Sequence, residues 1–79
     1  MARVKRPQAT IVGAARSSQA VAKAGAEVRL SRRRRRVMQK TLAARVGISQ
    51  ARLAEIEAGE GDGAPPEVWF ALAEALGGT

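Results

Sequence analysis

The chain has 79 residues, enough for one small domain, and carries a net charge of +7 with neither Cys nor His. The missing residue types exclude disulfides, zinc-finger sites and imidazole catalysis. The sequence also lacks a phosphate-cradling glycine motif, so we expect no cofactor and no enzymatic activity. It has no apolar run of the roughly 18 residues that a membrane span needs, and no signal peptide, so we expect a cytoplasmic protein without a membrane partner.

The charge is divided unevenly along the chain. Residues 1–46 contain 13 basic residues and one acid, a net +12, whereas residues 47–79 contain one basic residue and six acids, a net −5. Such polarity suits a polyanion on one side and solvent or a protein partner on the other. The aromatic residues, Trp69 and Phe70, fall in a late apolar stretch, so base stacking on aromatic side chains is not expected.

Residues 1–17 are predicted to be a flexible basic arm, because basic residues alternate there with Pro7, Gly13 and small side chains. The arm can follow phosphates or enter a minor groove. A tail without contacts fits the composition equally well, and a short strand at residues 10–12 that pairs with another copy is a further possibility.

A first helix is predicted to begin after Ser17 and Ser18, either of which can cap it, at about Gln19. Gly25 leaves two alternatives open, a continuous helix or a helix that starts near the glycine after a separate turn. In both cases the helix is predicted to continue through the five arginines at 32–36.

The stretch from Gln39 to Gly59 predicts two short amphipathic helices joined by a tight turn. Apolar residues recur at helical spacing in each half, at Leu42, Ala43 and Val46 and then at Leu53 and Ile56. Gly47 is suited to end the first helix in a left-handed conformation, and Ser49 to cap the second. Such a pair can present its second helix, about Gln50 to Ala58, to a DNA major groove, although an ordinary helical hairpin has the same spacing.

A loop and a last helix follow Gly59. Acids, glycines and prolines predict the loop, and a helix is predicted from Pro66 to Leu76. Its apolar stripe consists of Val68, Trp69, Leu72, Ala73 and Leu76. We place Trp69 in the core, because a domain this small needs large residues to close its interior.

From about Ala24 to Gly77 the chain resembles the phage repressor and Cro type (XRE-like) of helix-turn-helix DNA-binding domain. The matching residues are Gly25, Val28-Arg29, Arg32, Gln39, Leu42-Ala43, Gly47-Ile48-Ser49, Leu53, Ile56-Glu57, Gly59 and Leu72 to Gly77. The resemblance implies an all-α, lambda-repressor-like fold, a compact bundle of about five short helices. This domain would span residues 18–79 and follow the arm.

The resemblance also implies that the helix after the turn contacts bases, through Gln50, Ala51, Arg52 and Glu55. Gln50 is the strongest candidate, because a Gln amide can pair with both N6 and N7 of adenine. Ala51 can touch a thymine methyl, and Arg52 can reach guanine or phosphate. Glu55, if it faces DNA, either accepts from a cytosine amino group or is repelled by phosphate; a salt bridge with Arg52 or Lys40 is an equal alternative.

Phosphate contacts are predicted for five side chains, Arg32, Arg36, Gln39, Lys40 and Arg45. Arginine offers a planar fork to phosphate, although a run of arginines is also typical of a solvated surface or a targeting signal. The family pattern lets Gln39 brace the leading Gln of the base-contacting helix, and Glu57 is expected to tie that helix to the fold. Glu60 and Asp62 replace the basic loop of many members, so contact there is expected to be weak or missing.

We therefore expect a nucleoid-associated regulator of transcription that binds double-stranded DNA sequence-specifically, with repression as the outcome, as a homodimer on DNA. The alternative is an antitoxin that binds its own operator and a toxin, with the acidic half serving the toxin. Three sources of dimerisation stay open: a weak dimer, a dimer induced by DNA, and a dimer supplied by a missing C-terminal region. A nonspecific nucleic acid coat and a helical module without a nucleic acid partner are further alternatives.

Overall fold

The computed structural model describes residues 18–77, which form four α-helices. They are α1 (Ser18–Arg34), α2 (Gln39–Val46), α3 (Gln50–Glu57) and α4 (Pro66–Gly77). The prediction of an all-helical fold is confirmed for this part of the chain, which holds four helices rather than about five. The predicted basic arm at 1–17 lies outside the described residues.

α1 runs without a break past Gly25, so the continuous helix is the correct alternative. Gly25 is buried where α1 crosses α3. A methyl group at this position would overlap the backbone carbonyl oxygen of Ile56. Gly25 therefore serves the close packing of two helices and does not end a helix.

α1 ends at Arg34, so the prediction that it continues through residue 36 is wrong for its last two residues. Arg36 adopts a left-handed conformation with a φ of 56°. Its N–H donates to the Arg33 carbonyl, and the Val37 N–H donates to the Arg32 carbonyl, both at 3.0 Å. This pair of bonds defines a Schellman motif, which terminates a helix and satisfies its last carbonyl groups.

The same termination recurs at the ends of α2 and α3, where the left-handed residues are Gly47 and Gly59, with φ values of 78° and 91°. The Ile48 N–H donates to the Ala43 carbonyl at 3.0 Å, and the Glu60 N–H donates to the Glu55 carbonyl at 2.8 Å. Glycine adopts this conformation without steric cost. Arg36 therefore occupies a backbone position that the other two helix ends fill with glycine.

The predicted tight turn between α2 and α3 is confirmed. Ser49 caps α3, because its Oγ accepts a hydrogen bond of 3.0 Å from the Arg52 N–H. Ile48 lies between Gly47 and Ser49 and packs against the core. A left-handed glycine, an apolar anchor and a cap thus fix the angle at which α3 leaves the body of the domain.

Apolar residues from all four helices form one core. They are Val21, Ala24, Val28, Leu42, Ala43, Leu53, Ile56, Trp69, Leu72, Ala73 and Leu76. α3 packs against α1 and α2, and α4 contacts the same two helices. Trp69 is 1% exposed, which confirms its predicted place in the core. Leu30 of α1 lies outside the core and is 46% exposed. None of the described helices has the length and hydropathy of a membrane span.

Replacing Gly25 by Ala is expected to lower the free energy of unfolding by about 1–3 kcal/mol, because the methyl group meets rigid backbone at Ile56. Helix propensity alone would instead raise it by about 1 kcal/mol. Ala26→Gly, one residue on at an exposed position, is the control and should cost about 1 kcal/mol. Urea denaturation shows whether the free energy of unfolding falls or rises. A Gly25→Ala protein that is more stable than the wild type would contradict the close crossing of α1 and α3.

Candidate nucleic-acid interface

α3 presents an exposed face whose composition follows from its burial pattern. Leu53, Ile56 and Glu57 point inward. The exposed residues of α3 and its C-cap are Gln50, Ala51, Ala54, Glu55 and Ala58. Three of the four predicted base-contacting residues are thus exposed, and the fourth, Arg52, is partly buried. With eight residues the helix is about 12 Å long, short enough to lie along one groove.

Glu57 is a buried carboxylate on the inner side of α3, with 4% of its side chain exposed. Arg32 Nε donates to Oε2 at 2.7 Å, and Arg32 Nη2 donates to Oε1 at 3.1 Å. Gln39 Nε2 donates to Oε1 at 3.1 Å. The predicted role of Glu57 as an internal tie is confirmed, and one carboxylate joins α1, α2 and α3.

Arg32 belongs to the same network. Its Nη1 donates to the Val37 carbonyl at 2.9 Å, so the guanidinium also fastens the turn that follows α1. Three of its five N–H donors are used internally and 14% of its side chain is exposed. The phosphate contact predicted for Arg32 stays a prediction, with two N–H groups left to make it.

The predicted brace between Gln39 and Gln50 is present. Gln50 Nε2 donates to Gln39 Oε1 at 3.4 Å, a long hydrogen bond. The leading side chain of α3 is thus connected through Gln39 to the buried Glu57. Gln50 keeps its Oε1 acceptor and one N–H donor, which are the two groups that pair with the edge of adenine.

Arg52 and Glu55 form the salt bridge that was one of the alternatives for Glu55. Arg52 Nη1 lies 2.8 Å from Glu55 Oε1, and the two side chains are 32% and 52% exposed. An ion pair this exposed contributes about 0.2–1 kcal/mol. The pair can therefore be opened by a competing anion or base at little cost.

The other predicted phosphate contacts lie outside this network of hydrogen bonds. Arg36, Lys40 and Arg45 are all exposed. Lys40 and Arg45 are separated by about 140° around α2, by the helical repeat, so they lie on different sides of it. Arg36 lies in the turn between α1 and α2. The structure joins Arg32, Gln39 and Gln50 in one network and leaves the remaining three cations apart from it.

Two basic residues missed by the sequence analysis adjoin this network. Arg29 and Arg33, one turn apart on α1, line an open depression of about 210 Å³ together with Ala54 of α3 and Ala58, the C-cap of α3. The spacing of the two arginines was visible in the sequence. Which face of α1 meets α3 was not, because it depends on the crossing at Gly25.

A family model described as a helix-turn-helix domain matches residues 23–79, more than two thirds of the chain. No curated protein and no solved structure matches the chain.

Removing either partner of the Arg32–Glu57 pair is expected to destabilise the domain by about 3–5 kcal/mol, because a largely buried charge is left unpaired. The test compares Arg32→Met, Glu57→Met and the double variant by urea denaturation. The double variant should be more stable than the sum of the single losses predicts, by at least about 1 kcal/mol. Strict additivity of the two losses would show that the side chains are not coupled.

Proposed function

Because the chain belongs to the helix-turn-helix domain family, we propose that it binds double-stranded DNA sequence-specifically by placing α3 in the major groove. A helix about 10–12 Å across fits a groove about 12 Å wide. The observation that carries the proposal is Gln50, exposed at the first residue of α3 with its amide braced by Gln39. The brace reduces the conformational freedom that Gln50 would otherwise lose on binding a base.

We assign the base contacts to Gln50, Ala51, Arg52 and Glu55. Gln50 pairs with the N6 and N7 groups of adenine, and Ala51 contacts a thymine methyl beside it. Arg52 reaches guanine or the nearest phosphate when its exposed ion pair opens. Glu55 then accepts from a cytosine amino group. Where the pair stays closed, Glu55 holds Arg52 in place instead.

We assign phosphate contacts to Arg36, Lys40 and Arg45. We also assign Gln39 and Arg32 to the DNA backbone, where it passes the start of α2. Arg36 supports this assignment most directly. It has the left-handed backbone of a helix end, a conformation that costs a non-glycine residue about 1 kcal/mol. Strained conformations of this kind gather at functional sites, and here the side chain adds an exposed cation.

We propose repression of transcription as the biological outcome, with two copies bound to paired half-sites about 34 Å apart. Occupied DNA of this length excludes other proteins from the same sites. The helix-turn-helix family is typically not enzymatic, and we assign no reaction to the chain.

An antitoxin is the second candidate function, favoured by the surface of α4. Phe70 is 55% exposed. Glu67 and Glu74, three residues before and four after it, are exposed on the same side of the helix. An apolar residue between two acids suits a basic protein partner such as a toxin. Binding of this partner would leave the exposed face of α3 free for an operator.

Gln50→Ala is expected to weaken binding to a cognate duplex by about 1–3 kcal/mol while binding to random duplex changes little, because only base recognition is lost. The cognate duplex is obtained by selection from random DNA, and both affinities are measured at the same salt concentration. Gln19→Ala, the same change at an exposed position near the far end of α1, is the matched control. Equal losses on both duplexes would contradict base recognition by Gln50.

Arg36→Gly is expected to raise the free energy of unfolding by about 1 kcal/mol, because glycine adopts the left-handed conformation freely. In DNA binding, the slope of log K against the logarithm of the salt concentration should also fall in magnitude by about 0.9, the value for one phosphate contact. Arg35→Gly removes the same charge from the preceding residue, which has no positive φ, and should lower stability instead. An unchanged salt slope for Arg36→Gly would show that Arg36 does not contact a DNA phosphate.

A further inference from the structure

We propose that Arg29 and Arg33 form a second phosphate-binding element, a cleft between α1 and α3 that holds the DNA backbone along one wall of the major groove. This inference rests on the proposed DNA binding and adds two residues to it. The bound group is a backbone phosphate of the duplex whose groove receives α3.

The cleft is built by both helices. Arg29 and Arg33 form the α1 side, Ala54 and Ala58 form the α3 side, and Arg32, Gln39 and Glu57 complete the lining. Its volume is about 210 Å³. The two alanine side chains are short, so a phosphate can approach α3 closely and still reach the guanidinium groups.

The charges around the cleft favour an anion. Its one carboxylate, Glu57, already accepts hydrogen bonds from Arg32 and Gln39. Among the described residues, the side chains of Arg29 and Arg33 form no salt bridge with an acid. Like charges one helical turn apart repel each other, and an anion between them would relieve that repulsion. Each guanidinium can offer a phosphate two parallel N–H donors.

The position of the cleft points to the duplex that α3 would enter. Gln50, Ala54 and the C-cap Ala58 succeed one another at intervals of four residues, so they follow one side of α3 to its end. The cleft therefore borders the same side of α3 that carries Gln50. A helix that fills the major groove leaves its flanking elements against the sugar-phosphate walls. α1 is the flanking element here, and Arg29 and Arg33 are the exposed cations with which it lines the cleft.

An acidic segment of a protein partner is the competing occupant, because carboxylates and phosphates attract the same guanidinium groups. Gln39 favours DNA as the occupant, because it lines the cleft and also accepts a hydrogen bond from Gln50, the residue proposed to contact a base. Removal of the two cations distinguishes the occupants, because only a phosphate occupant makes the DNA affinity depend on them.

The test is the salt dependence of DNA affinity for Arg29→Gln/Arg33→Gln, measured with a duplex selected from random DNA. We expect the slope of log K against log salt to fall in magnitude by about 1.8, the value for two phosphate contacts. Random duplex should show the same loss, because phosphate contacts carry no sequence information. Arg34→Gln/Arg35→Gln removes two exposed charges from the neighbouring residues and is the matched control, for which we expect a smaller change.

We expect both double variants to keep the fold, because all four arginines are exposed. Thermal unfolding of each variant verifies this. If the wild-type protein bound no duplex, the proposed function itself would fail. If the wild type bound DNA and Arg29→Gln/Arg33→Gln kept its slope, the cleft alone would be refuted, as expected for an acidic protein occupant. An equal loss in the control pair would also refute it, because total charge and not the cleft would then set the slope.

Discussion

The arrangement of the candidate interface depends on one buried carboxylate. Glu57 of α3 accepts hydrogen bonds from Arg32 of α1 and Gln39 of α2, so a single side chain fixes how three helices meet. Burying an ion pair costs several kcal/mol, and this cost is offset only while the donors remain in place. The network extends through Gln39 to Gln50. The side chain proposed to recognise a base is thus positioned by the interaction that orders the fold around it.

The local parts of this structure were predictable from the sequence, and the long-range parts were not. Gly47 and Ser49 fix the turn through their own backbone and side-chain chemistry, so the sequence identifies them directly. The end of α1 was missed because arginine favours a helix and gives no signal of a left-handed conformation at Arg36. The Arg32–Glu57 pair spans 25 residues, and only the folded helices bring it together.

The run of arginines, a single feature in the sequence, divides into separate roles in the fold. Arg32 points inward and stabilises the junction of α1, α2 and α3. Arg33 lies one turn from Arg29 and shares with it the cleft beside α3. Arg36 ends the helix in a conformation better suited to glycine. Adjacent residues on a helix differ by about 100° in direction, so a charge run cannot serve one partner as a block.

The central claim is that α3 enters the groove with its first residues leading. Nuclear magnetic resonance of ¹⁵N-labelled protein, titrated with a duplex selected from random DNA, tests it most directly. We predict the largest shift changes at the side-chain amides of Gln50 and Gln39 and at the backbone amides of Ala51 and Arg52, with little change around Phe70 on α4. Changes concentrated on α4, with the signals of Gln50 and Ala51 unmoved, would contradict the account.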